Sequence, residues 1–371
     1  MTDQPPHEYW MAEALRQARR GLYSTHPNPR VGCVVVKDRQ LLCAGFHALT
    51  GGAHAEVNAL KQIESASDCD VYITLEPCSH HGRTPPCVDA LIAAKPARVI
   101  VAMQDPNPRV AGQGLEKLRL AKIEVICGVL EEQARALNCG FVSRFENKRP
   151  FVRLKMAASL DGKTALNNGE SQWITGEAAR RDVQFLRARA SAILTSASTV
   201  LDDNPTMNLR LSKNELAQQC DVKQPVRVII DSQLRLTGKE KIFQSGGEIW
   251  IYTLNANEKE HRQLQAAGAD ITLLQSTDLR VNLKQLMTDL ASREINEVHS
   301  ECGQTLAGAL LQQGLVDEIV LYMAPKLLGS AARGLFELGE LTDMNSARRC
   351  KINQIRTIGE DIRITLTPEQ S

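Results

Sequence analysis

His54-Ala55-Glu56 and, further on, Leu75-Glu76-Pro77-Cys78-Ser79-His80-His81-Gly82-Arg83-Thr84-Pro85-Pro86-Cys87 bring one imidazole, two thiols and one spare carboxylate into a short reach of chain. A catalytic zinc takes three protein ligands and leaves its fourth position to water. His54, Cys78 and Cys87 supply that number. His80 and His81 are further candidate ligands, ranked below Cys87 because a fourth protein ligand would close the open position. Zinc brings the pKa of a bound water down to roughly 7, and Glu56 is free to carry protons between that water, a ring nitrogen and a leaving amine. The expected reaction is hydrolytic loss of ammonia from an amidine-like ring carbon.

The same residues match the pattern of the zinc nucleobase deaminases, H-x-E followed by P-C-x-x-C, with one departure. Eight residues, Ser79 to Pro86, separate the two cysteines where the general pattern has two. Pro85 and Pro86 stiffen that insertion, since each ring fixes its own φ and restricts its predecessor.

Outward from the motif, Glu8 to Arg20 carries Met11, Leu15 and Ala18 at helical spacing and stops at Gly21. Val31 to Val36 and Leu41 to Gly45 are β-rich runs joined by Lys37-Asp38-Arg39-Gln40, which reads as a hairpin. The pattern predicts a helix over His54 to Ile63, with the ligand in its first turn, and a strand over Val71 to Leu75. Pro77-Cys78 breaks that strand where a second helix can begin, and the positive end of such a helix would favour a Cys78 thiolate. Strands at Arg98 to Met103 and Ile123 to Cys127, with a helix at Leu115 to Ala121 between them, complete an α/β layered domain.

Glu131 to Arg149 is polar and helix-prone, and Asn147-Lys148-Arg149-Pro150 reads as a linker, so two domains are expected at 1–146 and 147–371. The second half shows strands at Phe151 to Lys155, Ser191 to Thr195, Pro225 to Ile230, Glu248 to Thr253 and Val298 to Glu301. Helices at Ala178 to Arg189 and Leu283 to Ser292 make it α/β again. It has no G-x-G-x-x-G fingerprint. Gly303 follows the last of those strands and opens a helix whose free N–H groups can face a phosphate, although such a turn is also an ordinary strand-to-helix connection.

With 371 residues and 43% apolar content, the chain can build two ordinary cores. Its 44 Lys and Arg balance 43 Asp and Glu, and aromatic residues are only 4%, so neither a basic stripe nor a stacking platform favours nucleic acid. A small-molecule substrate fits better. No apolar run approaches a membrane span, and Met1-Thr2-Asp3-Gln4-Pro5-Pro6 lacks the regions of a secretory signal, so a cytoplasmic address is expected. Ten scattered cysteines do not form a disulfide framework and suit metal binding in a reducing compartment.

Thr25-His26-Pro27-Asn28-Pro29, His54-Ala55-Glu56-Val57 and the Leu75 to Cys87 run resemble the bifunctional riboflavin-biosynthesis deaminase/reductase family, to which the long insertion between the cysteines belongs. Ala158-Ser159-Leu160-Asp161-Gly162-Lys163, Gly169-Glu170-Ser171-Gln172-Trp173-Ile174-Thr175 and Glu301-Cys302-Gly303-Gln304-Thr305-Leu306-Ala307 extend the resemblance over almost the whole chain. It implies an N-terminal cytidine-deaminase-like α/β/α layer domain holding Zn²⁺ and a C-terminal dihydrofolate-reductase-like α/β domain holding NADPH. The implied reactions are deamination of 2,5-diamino-6-(5-phosphoribosylamino)pyrimidin-4-one, then reduction of the ribosyl group of 5-amino-6-(5-phosphoribosylamino)uracil to ribityl.

Carried over residue by residue, the resemblance implies that Ala157, Trp173, Thr199, Asp203, Ser232 and the stretch Gly303, Gln304, Thr305, Leu306, Ala307, Gly308, Ala309 line the NADPH site. Ser171, Arg187, Met207, Arg210 and Glu301 would hold the substrate, with Lys155 near the sugar and Asn28, His80 and Arg83 contacting the pyrimidine or phosphate of the deaminase substrate. Arg187 and Arg210 suit a ribose phosphate as guanidinium forks, whereas Arg180, Arg181 and Arg189 read as a solvated helix face. The expected partners are the pyrimidine ribosyl phosphate and further copies of the chain in a homo-oligomer, with no nucleic acid and no membrane. Three other readings stay open: deamination alone with a non-catalytic C-terminal half, a deaminase of tRNA or single-stranded DNA, and a structural metal clamp. Glu56 separates the last, because a clamp has no ammonia release to lose when that residue becomes Gln.

Overall fold

Asp38 and Arg39, with φ of 48° and 64°, form a two-residue left-handed turn between antiparallel strands, the turn whose twist suits a tight hairpin. This is the computed structural model of the chain, and it describes residues 6–79, 86–218, 221–276 and 278–369. By packing the chain divides into two compact units, Met1–Lys148 with Ser212–Val222, and Arg149–Leu211 with Lys223–Ser371.

The first unit runs α1 (His7–Arg19), β1 (Gly32–Lys37), β2 (Gln40–Phe46), α2 (Ala55–Leu60), β3 (Asp70–Ile73), α3 (Cys87–Ala94), β4 (Arg98–Val101), α4 (Gln113–Leu120), β5 (Glu124–Cys127), α5 (Glu131–Leu137) and α6 (Cys139–Glu146). Its described sheet has the order β2-β1-β3-β4-β5, with β3, β4 and β5 parallel and β1 antiparallel to both neighbours. Alternation along the strands sends Val35, Val71 and Val99 to one face, under Ala59, Leu91 and Leu118 of α2, α3 and α4. Val34, Tyr72 and Ile100 face the other way, under Met11 and Leu15 of α1 and Phe141 of α6. The result is the expected α/β/α layering. Helix α2 is shorter than the predicted one and begins after His54, which is its N-cap.

The second unit runs β6 (Phe151–Ser159), β7 (Lys163–Ala165), α7 (Glu177–Arg189), β8 (Ala192–Ser196), α8 (Ala197–Asp203), β9 (Val226–Ile230), α9 (Lys241–Gln244), β10 (Ile249–Thr253), α10 (Glu258–Ala266), β11 (Ala269–Leu273), α11 (Leu283–Ser292), β12 (Glu297–Glu301), α12 (Gln304–Gln312), β13 (Glu318–Ala324), β14 (Arg333–Gly334), β15 (Cys350–Ile358) and β16 (Asp361–Pro368). Nine of its described strands form one sheet, β11-β10-β9-β8-β12-β6-β13-β16-β15, parallel up to β13 and closed by the antiparallel pair β16 and β15. Helices α11 and α12 cover one face through Leu286, Leu290 and Leu310. On the other face, α8 and α10 pack through Val200 and Leu264, and α7 packs through Val183 and Leu186. The C-terminal strand pair was not anticipated, although Ile362, Ile364 and Leu366 alternate along β16. β15 is exposed along nearly its whole length, so it carries no apolar face with a period of two.

Candidate functional site

Three separate elements deliver the candidate ligands of the first unit. His54 caps α2, Cys78 follows the end of β3, and Cys87 is the first residue of α3. His54 Nδ1 lies 3.1 Å from Cys87 Sγ and 3.5 Å from Cys78 Sγ, and all three ligand atoms fall within 4.8 Å of one another. A tetrahedral zinc with Zn–N of about 2.0 Å and Zn–S of about 2.3 Å needs ligand edges of roughly 3.5 Å. The donor set therefore fits that ion, and among the described residues no fourth His, Cys or carboxylate joins the cluster. Helix α2 sits close on β2 because Gly45 has no side chain: a Cβ there would stand 2.4 Å from the Ala55 carbonyl oxygen. Any larger residue would push away the helix that presents His54 and Glu56.

The helix expected to begin at Cys78 begins instead at Cys87. Pro86 precedes it with φ −57°, preset for a helix start and without an N–H to leave unpaired. The first turn of α3 points back: the Cys87 N–H donates to Cys78 Sγ at 3.2 Å, and the Val88 N–H donates to the Cys78 carbonyl at 3.2 Å. A hydrogen bond from the Cys87 thiol, reinforced by His54, brings the Cys78 thiol down to about 4. That same bond, together with burial, pushes the Cys87 thiol up. The hydrogen bond to Cys78 raises His54. Glu56 is 3% exposed, and burial pushes its carboxyl up to about 7. It is thus a buried acid next to the ligand cluster that exchanges its proton near neutrality.

Behind His54 stands His47, which the sequence reading missed; its only signal is a histidine immediately after a strand. The two rings meet edge to face at 5.5 Å. His47 Nδ1–H donates to the Ala53 carbonyl at 3.1 Å, which leaves Nε2 to accept from Asn28 Nδ2 at 3.1 Å. Burial lowers His47 and keeps it neutral, in keeping with that arrangement. Asn28 is thereby brought to the ligand cluster through one intervening ring. His80, His81 and Arg83 lie outside the described residues.

In the second unit a cavity of about 2040 Å³ opens at the carboxyl ends of the parallel strands, lined by Lys155, Ala157, Ser171, Trp173, Arg187, Thr199, Asp203, Met207, Arg210, Ser232, Glu301, Gly303, Gln304, Thr305, Leu306 and Ala309. Ala307 and Gly308 do not line it. Helical periodicity turns Ala307 into the core, and Gly308 faces the backbone of Glu337, whose carbonyl oxygen a Cβ would meet at 2.0 Å. Gly303 is the N-cap of α12, so the unpaired first-turn N–H groups belong to the cavity wall, as the sequence suggests.

Arg187 is already engaged. Its Nε and Nη2 donate to Glu301 at 2.6 and 2.9 Å and its Nη1 donates to the Asn208 carbonyl at 2.9 Å, leaving two of its five N–H groups for another partner. Burial alone would raise Glu301, but Arg187 and His299 overcome it and hold the carboxyl well below its usual range. Burial lowers the nearby Lys155 ammonium. Ser171 Oγ donates to Asp203 at 3.3 Å. The solvated-face reading of Arg180 and Arg189 does not hold. Arg180 lies 4.6 Å over the Trp173 ring and lines the cavity, and Arg189 donates to the buried Glu297 at 2.7 Å. The Arg189 contact joins residues 108 positions apart, and the Arg180 contact reaches back to Trp173, outside its own helix, so helical periodicity reports neither.

Residues 4–103 match the cytidine and deoxycytidylate deaminase zinc-binding region, and residues 150–364 match the RibD C-terminal domain. The riboflavin biosynthesis protein RibD of Escherichia coli strain K12 is 48% identical over 96% of this chain and 97% of its own. The chain belongs to the RibD family. Among solved structures, Acinetobacter baumannii RibD, form 1, is similar at TM-score 0.90 with 43% identity, covering 98% of this chain and 99% of that one. A Thermotoga maritima diaminohydroxyphosphoribosylaminopyrimidine deaminase/5-amino-6-(5-phosphoribosylamino)uracil reductase is similar at TM-score 0.86 with 34% identity, covering 98% of each chain. Membership in this family makes the chain a bifunctional enzyme of riboflavin biosynthesis, a deaminase and a reductase that use zinc and NADPH.

Proposed function

We propose that the first unit deaminates 2,5-diamino-6-(5-phosphoribosylamino)pyrimidin-4-one and that the second reduces the ribosyl group of the product to ribityl with NADPH. The observation that carries the first step is the convergence of His54, Cys78 and Cys87 beside the buried acid Glu56. These three residues would hold zinc, which when bound supplies Lewis-acid activation of water. Glu56 is the catalytic residue: its carboxyl, poised at about 7, takes a proton and returns one to the departing amino group. The bond from Asn28 to His47, whose ring packs on His54, supports a contact of Asn28 with the pyrimidine, and His80 and Arg83 are assigned to the same substrate by family resemblance.

For the second step, Ala157, Trp173, Thr199, Asp203, Ser232 and the Gly303 to Ala309 turn and helix would hold NADPH, which supplies the hydride. Ala307 and Gly308 act there as packing residues that keep α12 in place. Ser171, Arg187, Met207, Arg210 and Glu301 hold the ribosyl phosphate, and Lys155 stands near the sugar. Arg187 presents only its unpaired N–H groups, while Glu301 fixes the guanidinium plane. The division of the packed units between Lys148 and Arg149 supports a boundary near residue 147 between a deaminase domain at 1–146 and a reductase domain at 147–371, from which Ser212–Val222 departs by belonging to the first unit.

The balanced charge of 44 against 43 supports a small substrate in place of nucleic acid. No helix among the described residues is long and apolar enough to cross a membrane, which supports a cytoplasmic address. The edge strand β15 leaves Ile352 and Ile355 57% and 60% exposed, which supports pairing with a second copy in a homo-oligomer. The deciding experiment incubates the zinc-loaded protein with the diaminopyrimidine, with and without NADPH, and follows ammonia and cofactor absorbance separately. Ammonia without NADPH, and NADPH oxidation only after ammonia appears, is the expected pair of signals. NADPH oxidation preceding ammonia release would overturn the order.

A further inference from the structure

Cys78 is flanked by two residues that reach the same helix, α4. On one side, the buried Glu76 carboxylate accepts four backbone N–H groups: Oε1 from Gly114 at 2.8 Å and Leu115 at 3.4 Å, Oε2 from Gly112 at 2.9 Å and Asp105 at 3.2 Å. Three of these belong to the cap and first turn of α4, where N–H groups have no partner within the helix and a carboxylate is favoured by the dipole. On the other side, the Ser79 carbonyl accepts from Lys117 Nζ of α4 at 2.8 Å. Between them, Gly114 lies so close to the chain that a Cβ would stand 2.3 Å from the Pro77 carbonyl oxygen. The match to the zinc-binding region ends at residue 103, so α4 lies beyond it.

We propose that α4 is a brace for the metal ligand, with Glu76 and Lys117 as positioning residues that hold Pro77-Cys78-Ser79 in the place from which Cys78 Sγ meets His54 and Cys87. A connection between a strand and a helix has no regular hydrogen-bond ladder of its own. Here α3 supplies N–H groups to the sulfur and the carbonyl of Cys78, and α4 clamps the residues before and after it. Four N–H donors onto one carboxylate demand acceptors at both oxygens. A glutamine in its place keeps the shape but presents an NH₂ to two of them, leaving buried donors facing a donor.

The inference rests on the zinc reading of His54, Cys78 and Cys87, and the test separates the two. Zinc affinity of the full-length protein is measured by competition with a chromophoric chelator, and the ligand geometry by the visible spectrum of the cobalt(II)-loaded form, for the parent, Glu76→Gln, Lys117→Met and Gly114→Ala. Outer residues that orient metal ligands typically change affinity by about 10- to 100-fold. Loss of that order in Glu76→Gln, a smaller loss in Lys117→Met and an altered cobalt spectrum in both are expected, with NADPH oxidation on the deaminated substrate at the parent rate. A parent that binds no zinc overturns the metal reading itself. A parent that binds zinc while folded Glu76→Gln, judged by circular dichroism, matches it in affinity and cobalt spectrum overturns the brace and leaves the metal reading standing. Should Glu76→Gln not fold, Lys117→Met, which removes only an exposed tether, decides alone: parent affinity and spectrum overturn the brace.

Discussion

The backbone N–H of Cys87 points at Cys78 Sγ from 3.2 Å, so one metal ligand is solvated by the helix that begins with the next. A cysteine thiol at a helix N-terminus ionises more readily than a free one. Eight residues lie between the two cysteines in sequence, yet Cys87 opens a helix whose first N–H reaches the sulfur of Cys78.

Glu56→Gln is expected to keep zinc and lose chemistry. The amide matches the shape of the buried carboxyl but neither takes up nor releases a proton near neutral pH, so ammonia release should fall by about 10²- to 10⁴-fold. Metal analysis together with an ammonia assay checks this. Undiminished ammonia release would remove Glu56 from its catalytic role.

Removing the metal with a strong chelator should abolish ammonia release while NADPH oxidation continues on substrate that is already deaminated. The reason is that the described metal-ligating cluster belongs to the first unit, whereas the cavity is lined entirely by residues of the second. Parallel loss of both activities on chelation would contradict the assignment.

Glu301→Gln should destabilise the second unit by about 3–5 kcal/mol, since it leaves the buried Arg187 guanidinium without its countercharge. The native carboxyl sits below its usual range, so the pair contributes stability above about 4.5 and loses it as pH falls through the depressed value. Thermal melts of parent and variant should differ most near neutrality and converge in acid. Melts that differ equally at all pH values would show that the charge of Glu301 does not carry the effect.

Asp105 has the opposite sign. Burial pushes its carboxyl up to about 6, so it favours the folded state only when protonated, and that contribution is lost as pH rises from about 4 through about 6. Asp105→Asn retains the acceptor for the Asn107 N–H, bonded at 2.8 Å, and removes the buried charge. A gain of about 1–3 kcal/mol at pH 8, vanishing by pH 4, is expected from denaturation curves at the two pH values. A variant less stable than the parent at pH 8 would refute this.

Ile355→Lys places a charge on the exposed face of β15 and should shift sedimentation toward a smaller species without lowering the melting temperature of the chain. Unchanged sedimentation would exclude this edge as the contact between copies.

Several elements were readable, but the helix that carries Cys87 was expected to begin at Cys78 and α2 was expected to run longer. Hydrophobic spacing located α1, the β1–β2 hairpin and α11, the last to the residue at Leu283–Ser292, because each buries one face and the pattern records which. The spacing was silent on β15, whose residues are exposed on both faces, and on α10, where Leu264 is the buried residue of a polar helix.

The sequence alone determined which atoms are available for chemistry: an imidazole, two sulfurs and a carboxyl at spacings that suit one metal, and a glycine that opens a helix after a strand. Only the tertiary structure decided which backbone N–H groups fall on Cys78, that Glu76 and Lys117 anchor its neighbours to α4, that Arg187 is spent largely on Glu301, and that Arg180 covers Trp173. Those contacts join residues from seven to more than a hundred positions apart, and they arise when separately patterned elements pack against one another. Local periodicity reports which face an element buries; what that face meets is settled by the close-packed interior that several elements make together.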